Sequence, residues 1–493
     1  MTTAVATRTT VGPSGSRSFL ERYLPPGPVP AAAAAAALGA ALVGASTGSL
    51  PAAGIVLVGG FLLPLVVFEP WWALAMLIVI QFTSSDDVLA AHGFEGGFFI
   101  SLLLAAACLG LNFVRGRVRL VWSPVFLAAG LFLTSRALSV LVARDTSLAM
   151  EQVVETAADL IFLFVFVTLL ASSTKRVSLI GVAVLAVALL AVLSVVQEFV
   201  YGNTTDFFGY SNVLVEEELG AAVARHSGPQ ADANYWARTL LLLLPFALAL
   251  WGNRVAGWKR WMWLPVAAAI FAGIYLTESR GGFLALGVGL AVWVLLSRRL
   301  IRALLVAPLI AAVVLTLPGF GSRIATLGTL DEAAAGAGDP SLIGRVRAAE
   351  AATVMFSENP VLGVGPGNFL LAVADYPNRP PAGLGPHNIY LEIASEQGII
   401  GLLAWALLYG TALFLAARAF LLARHLAQGE DCWGKVLAIG VISGLVGWAA
   451  ASAFLGLAYI KGPLIVIGLA AVLDIEARRA SNASGLRHSE RNE

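Results

Sequence analysis

The chain has 493 residues, of which 58% are hydrophobic and only 12% are charged. Soluble domains carry roughly 25% charged residues, so this composition excludes a soluble globular protein. The 31 Lys and Arg residues balance 30 Asp and Glu residues, which excludes a nucleic-acid-binding protein. Cys108 and Cys432 are the only cysteines, which excludes a disulfide scaffold.

Apolar stretches long enough to cross a bilayer recur along the whole chain. A spanning helix needs about 20 mostly apolar residues, so the pattern predicts an all-α polytopic membrane protein with about 12–14 transmembrane helices. The stretch at 70–83 is short, and those at 31–49 and 457–474 are interrupted by Ala or Gly, which leaves the count open. The predicted spans are residues 31–49, 52–68, 70–83, 98–114, 121–141, 157–171, 177–199, 235–252, 262–277, 282–297, 302–317, 399–422, 436–456 and 457–474.

Positive charges in alternate loops predict the orientation of these spans. If the N-terminus lies in the cytoplasm, the cytoplasmic loops are the ones rich in Lys and Arg, as the positive-inside rule requires. The cations in these loops and in the C-terminal tail are Arg115, Arg117, Arg119, Lys175, Arg176, Arg254, Lys259, Arg260, Arg298, Arg299, Arg302, Arg418, Arg424, Lys435, Arg478, Arg479, Arg487 and Arg491.

This orientation divides the chain into a membrane domain at 29–475 and cytoplasmic tails at 1–28 and 476–493. Both tails are rich in Ser, Thr, Pro or Arg, so we expect them to be disordered. The chain is therefore predicted to be a multi-pass protein of the cell inner (plasma) membrane, with both termini in the cytoplasm.

Two predicted outside loops are long, at 200–234 and 318–397, and neither shows the alternation of strands. Loops of this length are usually functional or disordered. In the second, Gly344 to Ser357 has a helical pattern, with Val346, Ala349, Ala352 and Phe356 on one side. This helix lies either on the outer membrane face or within an ordinary loop. The glycines from Gly363 to Gly367 follow a proline, Pro360, and not a buried strand, which indicates a turn and not a nucleotide-binding loop.

Several cations remain on the predicted outside, and some of them interrupt or begin apolar spans. A charge at membrane depth costs on the order of 3 kcal/mol, so such a residue usually faces a polar cavity and a partner. Guanidinium groups match the oxygens of a diphosphate, although any one of these cations can instead extend to the membrane surface. Arg280 is the strongest candidate, because Ser279, Gly281 and Gly282 allow close backbone approach at a helix start. The cations at or within spans are Arg136, Arg238, Arg280 and Lys461.

Among the five histidines, His387 has the most distinctive surroundings, in a Gly-Pro-His-Asn-Ile-Tyr-Leu-Glu segment after a Pro/Gly cluster. An imidazole with a pKa near 6.5 is the commonest general base at neutral pH. A structural role is the alternative, since neither a nucleophile elbow nor a second His at metal-ligand spacing accompanies it. Asp86 and Asp87 fit a divalent ion, or more simply a solvated helix end.

Three ordered segments then point to a known family. They are Thr277 to Gly282 opening a span, Gly344-Arg345 with Asn359 to Phe369 in the large loop, and His387 to Glu392 with Glu396, Gly398 and Gly401 before the next span. With a fainter segment from Gly228 to Pro245, this set resembles the O-antigen ligase and O-antigen polymerase (Wzy_C-like) superfamily of bacterial membrane glycosyltransferases. The likeness covers residues 228–422.

The resemblance implies a metal-independent enzyme of the glycosyltransferase-C type, without a cofactor. Such an enzyme moves a glycan from an undecaprenyl pyrophosphate donor to a hydroxyl of a lipid, glycan or protein acceptor, on the outer side of the membrane. It implies that His387 acts on the acceptor and that Arg280 and Arg345 hold the diphosphate. Arg238 is a further expected substrate-binding cation, and Asn388, Tyr390 and Glu392 either orient His387, bind sugar hydroxyls or only pack.

Other functions remain open at this point. A polysaccharide polymerase of the same superfamily uses the same donor and differs in its acceptor. A secondary transporter predicts ionisable residues near the bilayer midplane and broken helices in matching halves of the chain. A structural or assembly protein needs neither His387 nor the outside arginines. In every case we expect membrane lipids as partners and no nucleic acid.

Overall fold

A computed structural model describes residues 62–218, 221–297, 340–376, 380–381, 383–426, 432–456 and 461–492. The predicted N-terminal tail, the predicted spans at 31–49 and 302–317, and most of the predicted span at 52–68 lie outside these residues. The side chain of Lys461 also lies outside the description. Within the described residues, helices account for nearly all regular structure, and one β-hairpin is present.

The helices are α1 (Leu62–Phe68), α2 (Pro70–Phe82), α3 (Ser85–Ala91), α4 (Gly97–Val114), α5 (Pro124–Ser139), α6 (Thr146–Ser172), α7 (Arg176–Phe199), α8 (Ala233–Gly252), α9 (Trp263–Leu276), α10 (Arg280–Ser297), α11 (Pro340–Glu358), α12 (Phe369–Ala372), α13 (Ile389–Leu426), α14 (Trp433–Ala451) and α15 (Lys461–Asn492). The strands of the hairpin are β1 (Asn212–Glu218) and β2 (Ala221–Gly228). Short 3₁₀ turns connect several of the helices.

Eight helices of the described residues are long and apolar enough to cross a membrane, which confirms the predicted all-α polytopic fold. The count rises to nine if α1 and α2 form one span, but they meet at an angle of 113°. The bend has a local cause, because Glu69 adopts an extended conformation and Pro70 starts the second helix. The predicted spans at 262–277 and 457–474 correspond to α9 and α15, which are helical but not among the eight.

The centre of the bundle is α8, which is buried along almost its whole length. A helix that is apolar all round belongs in the interior of a bundle. It packs against α9, α10 and α14. Gly444 in α14 permits a close approach, since a Cβ atom there would lie 2.6 Å from the carbonyl oxygen of Leu242. Small residues thus bring helices together as they do in other membrane proteins.

A glycine-rich turn locks against a bend in α13. Gly398 has φ 64° and ψ −163°, so a short helix from Ile389 ends there and the long span begins. On the two sides of the bend, the amide of Val364 donates to the carbonyl of Ser395 at 2.9 Å, and the amide of Ile399 donates to the carbonyl of Pro360 at 2.8 Å. The segment around Gly363 is therefore a turn, as the sequence predicted, and its function here is structural.

The loop at 200–234 contains β1 and β2, so the expectation of a long loop without strands was wrong. The strands pair antiparallel, with Val213 opposite His226. Their apolar residues do not alternate clearly, and tertiary contacts hold them in place. Asn212 Nδ2 donates to the Gly228 carbonyl at 3.0 Å, and Arg225 Nε donates to the Thr277 carbonyl at 3.1 Å.

The predicted helix in the large loop is confirmed as α11, but its buried face differs from the predicted one. Ala351, Ala352 and Met355 are buried and pack in a small cluster with Phe369 and Val373. Of the four residues expected to share a face, Ala352 alone is in this buried row. The helix therefore packs on the turn that follows it in the chain.

The C-terminal tail is helical through Asn492, so the expected disorder from residue 476 was wrong. Ion pairs stabilise this helix around residue 474. Asp474 accepts from Arg418 Nη2 at 2.7 Å, and Arg478 Nη2 lies 2.9 Å from the same carboxylate, one turn along the helix. Such pairs at a spacing of four residues support a helix.

We expect Gly398→Ala to lower the free energy of unfolding by about 2 kcal/mol or more, because a Cβ atom there would overlap the backbone of Val361 and because φ is positive. Thermal unfolding of the purified protein in detergent measures this. Gly410→Ala is the matched control, since it lies in the same helix with open space around it. Equal stability of the two variants would contradict the interlocked turn.

Candidate functional site

A cavity of about 630 Å³ opens at one end of the helix bundle. Its volume is typical of small-molecule sites, which occupy about 300–1,000 Å³. Residues from α2, α3, α5, α6, α8, α14 and the loop before α13 line it. At the cavity, these helices connect to loops that the charge pattern predicts to be outside. The cation-rich loops connect the opposite ends of the same helices.

Arg238 is the most enclosed cation of the cavity wall, with only 2% of its surface exposed. Its guanidinium carbon lies 4.9 Å from the ring centre of Trp448 and 5.3 Å from that of Tyr235. Nη1 donates to the Gly456 carbonyl at 3.3 Å, whereas Nη2 has no hydrogen-bond partner among the described residues. The aromatic faces and the Gly456 carbonyl hold the group in place.

A second buried cation, Arg136 of α5, also lines the cavity. It is 4% exposed, and Nη2 donates to Gln152 Oε1 at 3.1 Å. The carboxylates whose charges favour it include Glu155, Asp159 and Glu396. A buried guanidinium needs such compensation, because an isolated charge in this environment is costly.

Glu396 connects this cation to the glycine-rich turn. Its carboxylate accepts from the amide of Gly367 at 2.9 Å and from the amide of Phe369 at 3.2 Å. The side chain is 4% exposed and lines the cavity. The mutual compensation of Glu396 and Arg136 was not predicted from the sequence. Each is nevertheless a charge in or beside an apolar span, and such charges need partners.

His387 lies in the cavity wall, in the loop just before α13, with φ 45°. Burial lowers the pKa of its imidazole below the usual value, and the nearby charge of Arg345 lowers the pKa further, while Asp232 raises it. The imidazole is therefore neutral at pH 7 and has a lone pair that can accept a proton.

The three predicted site residues after His387 have different positions: one caps a helix, one packs against α14 and one lines the cavity. Asn388 Oδ1 accepts from the amides of Tyr390 at 2.9 Å and Leu391 at 3.2 Å, which caps the start of α13. The Tyr390 hydroxyl donates to the Ala449 carbonyl at 2.8 Å. Neither of these two side chains lines the cavity, whereas Glu392 does.

Arg280 and Arg345 lie near this cavity without lining it. Arg280 begins α10, directly after a loop that Asn234 holds by accepting from Ser279 Oγ at 2.7 Å and from Arg225 Nη2 at 3.0 Å. Arg345 is an exposed residue of α11, close enough to His387 to affect its pKa. Of the predicted site residues, the cavity thus brings together His387, Arg238 and Glu392, with Arg345 beside them.

Asp86 and Asp87, for which the sequence left a metal site or a solvated helix end open, also line the cavity. In the part of the chain that the structure describes, no group of three or more His, Cys, Asp or Glu side chains is arranged to hold a metal ion.

Comparison with known proteins gives one family match, in the central part of the chain. A family model described as O-antigen ligase (Wzy_C) matches residues 265–406, a stretch that contains Arg280, Arg345, His387 and Glu396. A search of curated proteins gives no match. The family match confirms the superfamily that the ordered motifs predicted.

We expect Arg136 and Glu396 to be strongly coupled. Arg136→Met or Glu396→Gln alone removes one of two opposite buried charges that compensate each other, and should lower the free energy of unfolding by about 1–3 kcal/mol. The double variant should lose clearly less than the sum of both, as a double-mutant cycle on thermal unfolding measures.

The exposed pair Arg144 and Asp375, with side chains 51% and 64% exposed, provides the matched control. Its coupling should be about 1 kcal/mol or less. Additive effects at Arg136 and Glu396 would contradict their pairing.

Proposed function

We propose that this protein, which contains an O-antigen ligase domain, transfers a glycan from an undecaprenyl pyrophosphate donor to an acceptor hydroxyl on the extracytoplasmic side of the inner membrane. The observation that carries the proposal is one cavity whose wall contains both His387, with its lowered pKa, and the buried Arg238. A general base and an anion-binding cation in one enclosed site are what this transfer requires.

In the proposed reaction the acceptor oxygen attacks the anomeric carbon of the donor sugar. As the new carbon–oxygen bond forms, His387 takes the hydroxyl proton, and the bond from carbon to the diphosphate oxygen breaks. The electron pair of that bond leaves with the diphosphate. Because the diphosphate is already a good leaving group, the enzyme mainly orients the two substrates and neutralises the departing charge.

The positive charge for the diphosphate would come from arginine side chains, so the proposed reaction needs no metal ion and no cofactor. Arg238 lies in the cavity wall, and Arg345 is close enough to the cavity residue His387 to affect its pKa. Arg280 begins α10, next to the loop that Asn234 holds. A guanidinium group can give two parallel hydrogen bonds to a phosphate, which an ammonium group cannot. Lipid contact along the spans would bring the isoprenoid tail of the donor to this site.

A polymerase of the same superfamily would use the same donor site with another lipid-linked repeat as its acceptor. The cavity supports both activities, and the acceptor can be a lipid, a glycan or a protein side chain. The length of the product separates the two, because a ligase adds one block and a polymerase extends the chain. The family match favours either activity over a secondary transporter.

His387→Ala should lower the transfer rate by about 10²–10⁴-fold while donor binding stays nearly unchanged, because the general base is lost and the diphosphate contacts remain. The assay uses purified protein in nanodiscs, a labelled undecaprenyl-pyrophosphate glycan and a glycan or lipid acceptor. His92→Ala is the control, since His92 is exposed and does not line the cavity.

The wild-type rate should fall as the pH drops through the lowered pKa of His387, so the acid limb should have its midpoint below the usual pKa of 6.5. Normal turnover by His387→Ala would remove the general-base assignment.

Arg238→Lys, Arg280→Lys and Arg345→Lys should each weaken use of the donor, raising its KM on the order of tenfold, although the charge is preserved. Initial rates at varied donor concentration measure this effect. Arg144→Lys makes the same chemical change at an exposed site outside the cavity and should leave KM unchanged. Unaltered donor affinity in all three variants would contradict an arginine-bound diphosphate.

A further inference from the structure

The loop between α4 and α5, residues 115–123, contains a cluster of positive charge that the proposed transfer does not use. Arg115, Arg117 and Arg119 lie within this loop, which has no acidic residue. All three arginines are exposed. The segment, here called the arginine loop, joins two helices that are long enough to cross a membrane. Its cations therefore lie where a pair of spans meets the lipid headgroups.

The backbone of the arginine loop is fixed by the end of α4. Gly116 has φ 68°, and the amides of Arg117 and Val118 donate to the carbonyl of Asn112 at 2.9 Å and 3.2 Å. The bond from Arg117 and the left-handed glycine form the Schellman motif that ends many helices. Val118 anchors the loop, with only 2% of its surface exposed. The arginines thus extend from a turn of defined shape, which lowers the entropy cost of arranging them around one ligand.

Other cations on the same predicted side of the membrane have acidic partners, and the three loop arginines do not. Arg176 pairs with Glu476, and Asp474 pairs with both Arg418 and Arg478. None of the loop arginines forms an ion pair with another residue of the described part of the chain. A cluster of cations without protein carboxylates attracts an anion from outside the chain.

Arg115 is in addition positioned by an aromatic ring. Its guanidinium carbon lies 5.0 Å from the ring centre of Phe68 in α1. Glu69 follows Phe68 in the chain but makes no ion pair with Arg115. The ring therefore restrains the guanidinium group without neutralising its charge.

Exposed apolar side chains flank the arginine loop on both sides. Val114 ends α4 with 83% of its surface exposed, and Leu120 and Trp122 precede α5 with 56% and 68% exposed. Trp is common at the depth where a span meets the headgroups. Cations between apolar side chains at the ends of two spans match a ligand that combines a negative headgroup with hydrocarbon tails. A soluble acidic protein would not cover these apolar groups at membrane level.

We propose that the arginine loop is a binding site for an anionic phospholipid. The guanidinium groups hold the headgroup phosphate through paired N–H donors, and the acyl chains lie against Val114, Leu120 and Trp122. The charge pattern predicts this loop to be cytoplasmic, and anionic lipids give that face of a membrane a negative surface potential. The lipid site is separate from the cavity and does not depend on the proposed glycan transfer.

The test is native mass spectrometry of the full-length protein in detergent, titrated with dioleoyl phosphatidylglycerol or dioleoyl phosphatidylcholine. The intensities of the lipid adducts give the affinity for each lipid. The first phosphatidylglycerol should bind roughly tenfold more tightly than the first phosphatidylcholine, because the acyl chains are identical and only phosphatidylglycerol has a net negative charge. Equal affinities for the two lipids would overturn the proposal.

Two double variants connect the affinity to the arginine loop. Arg117→Gln with Arg119→Gln should lower the affinity for phosphatidylglycerol roughly tenfold and leave that for phosphatidylcholine unchanged. Arg117→Lys with Arg119→Lys preserves the charge but loses the paired donors, and should weaken phosphatidylglycerol binding several-fold. Full affinity in the Gln variant would overturn the proposal. Full affinity in the Lys variant alone would indicate diffuse attraction and would overturn a defined headgroup site.

Arg424→Gln with Arg479→Gln is the matched control. It removes two exposed cations from the same predicted side, at α13 and α15, and leaves the arginine loop intact. It should retain the wild-type affinity for phosphatidylglycerol, and an equal loss in this variant would contradict a site at the loop. Thermal unfolding without added lipid should be the same for the wild type and the loop variants, since the substituted side chains are exposed and unpaired within the described chain.

A soluble competitor distinguishes a lipid from a free phosphate. Glycerol 1-phosphate presents a similar phosphate group without acyl chains. At the same concentration as the lipid it should not displace phosphatidylglycerol, because the contacts with the exposed apolar side chains are missing. Displacement at that concentration would assign the arginine loop to a soluble phosphate and overturn the lipid site.

Discussion

The buried carboxylate of Glu396 must be satisfied without water, and much of the site depends on how this is done. Two backbone amides of the glycine-rich turn and the charge of Arg136 provide the compensation. Compensation of this carboxylate therefore involves three distant segments, which are α5 with Arg136, the glycine-rich turn of the large loop, and the first part of α13 with Glu396 itself. His387 lies in the loop that enters this junction. The proposed base thus enters the bundle beside buried, mutually compensating charges that take no part in the reaction.

The apolar stretches predicted most of the helices, because spanning segments need little beyond length and low charge. Local motifs likewise indicated His387, Arg238 and the turn at Gly363. The sequence did not predict which distant segments contact one another. Arg136 and Glu396 are far apart in sequence, and either one alone is only an unexplained charge. The strands at 212–228 and the helical tail also depend on tertiary contacts, which override weak local patterns.

The site distributes its tasks over elements of different kinds. Arg238 lies on the most buried helix, held between aromatic rings, so its position varies little. Arg280 depends on a network in which Asn234 accepts from Ser279 and from Arg225 of the hairpin. Arg225 of the hairpin therefore supports the site through Asn234, although Arg225 itself does not line the cavity. Preorganised cations of this kind favour a developing negative charge, because the protein does not rearrange when the charge appears.

The hydrogen bonds between the glycine-rich turn and the bend at Gly398 also join the two ends of the segment from about residue 364 to residue 395. This segment is therefore a closed loop, and the hydrogen-bonded ends form its base. For a closed loop, each doubling of its length costs only about 0.6 kcal/mol in chain entropy. Insertions between Tyr376 and Pro386 would thus leave the base nearly undisturbed. The rim of the cavity can therefore vary in length and sequence at little cost to the residues that anchor the loop on both sides.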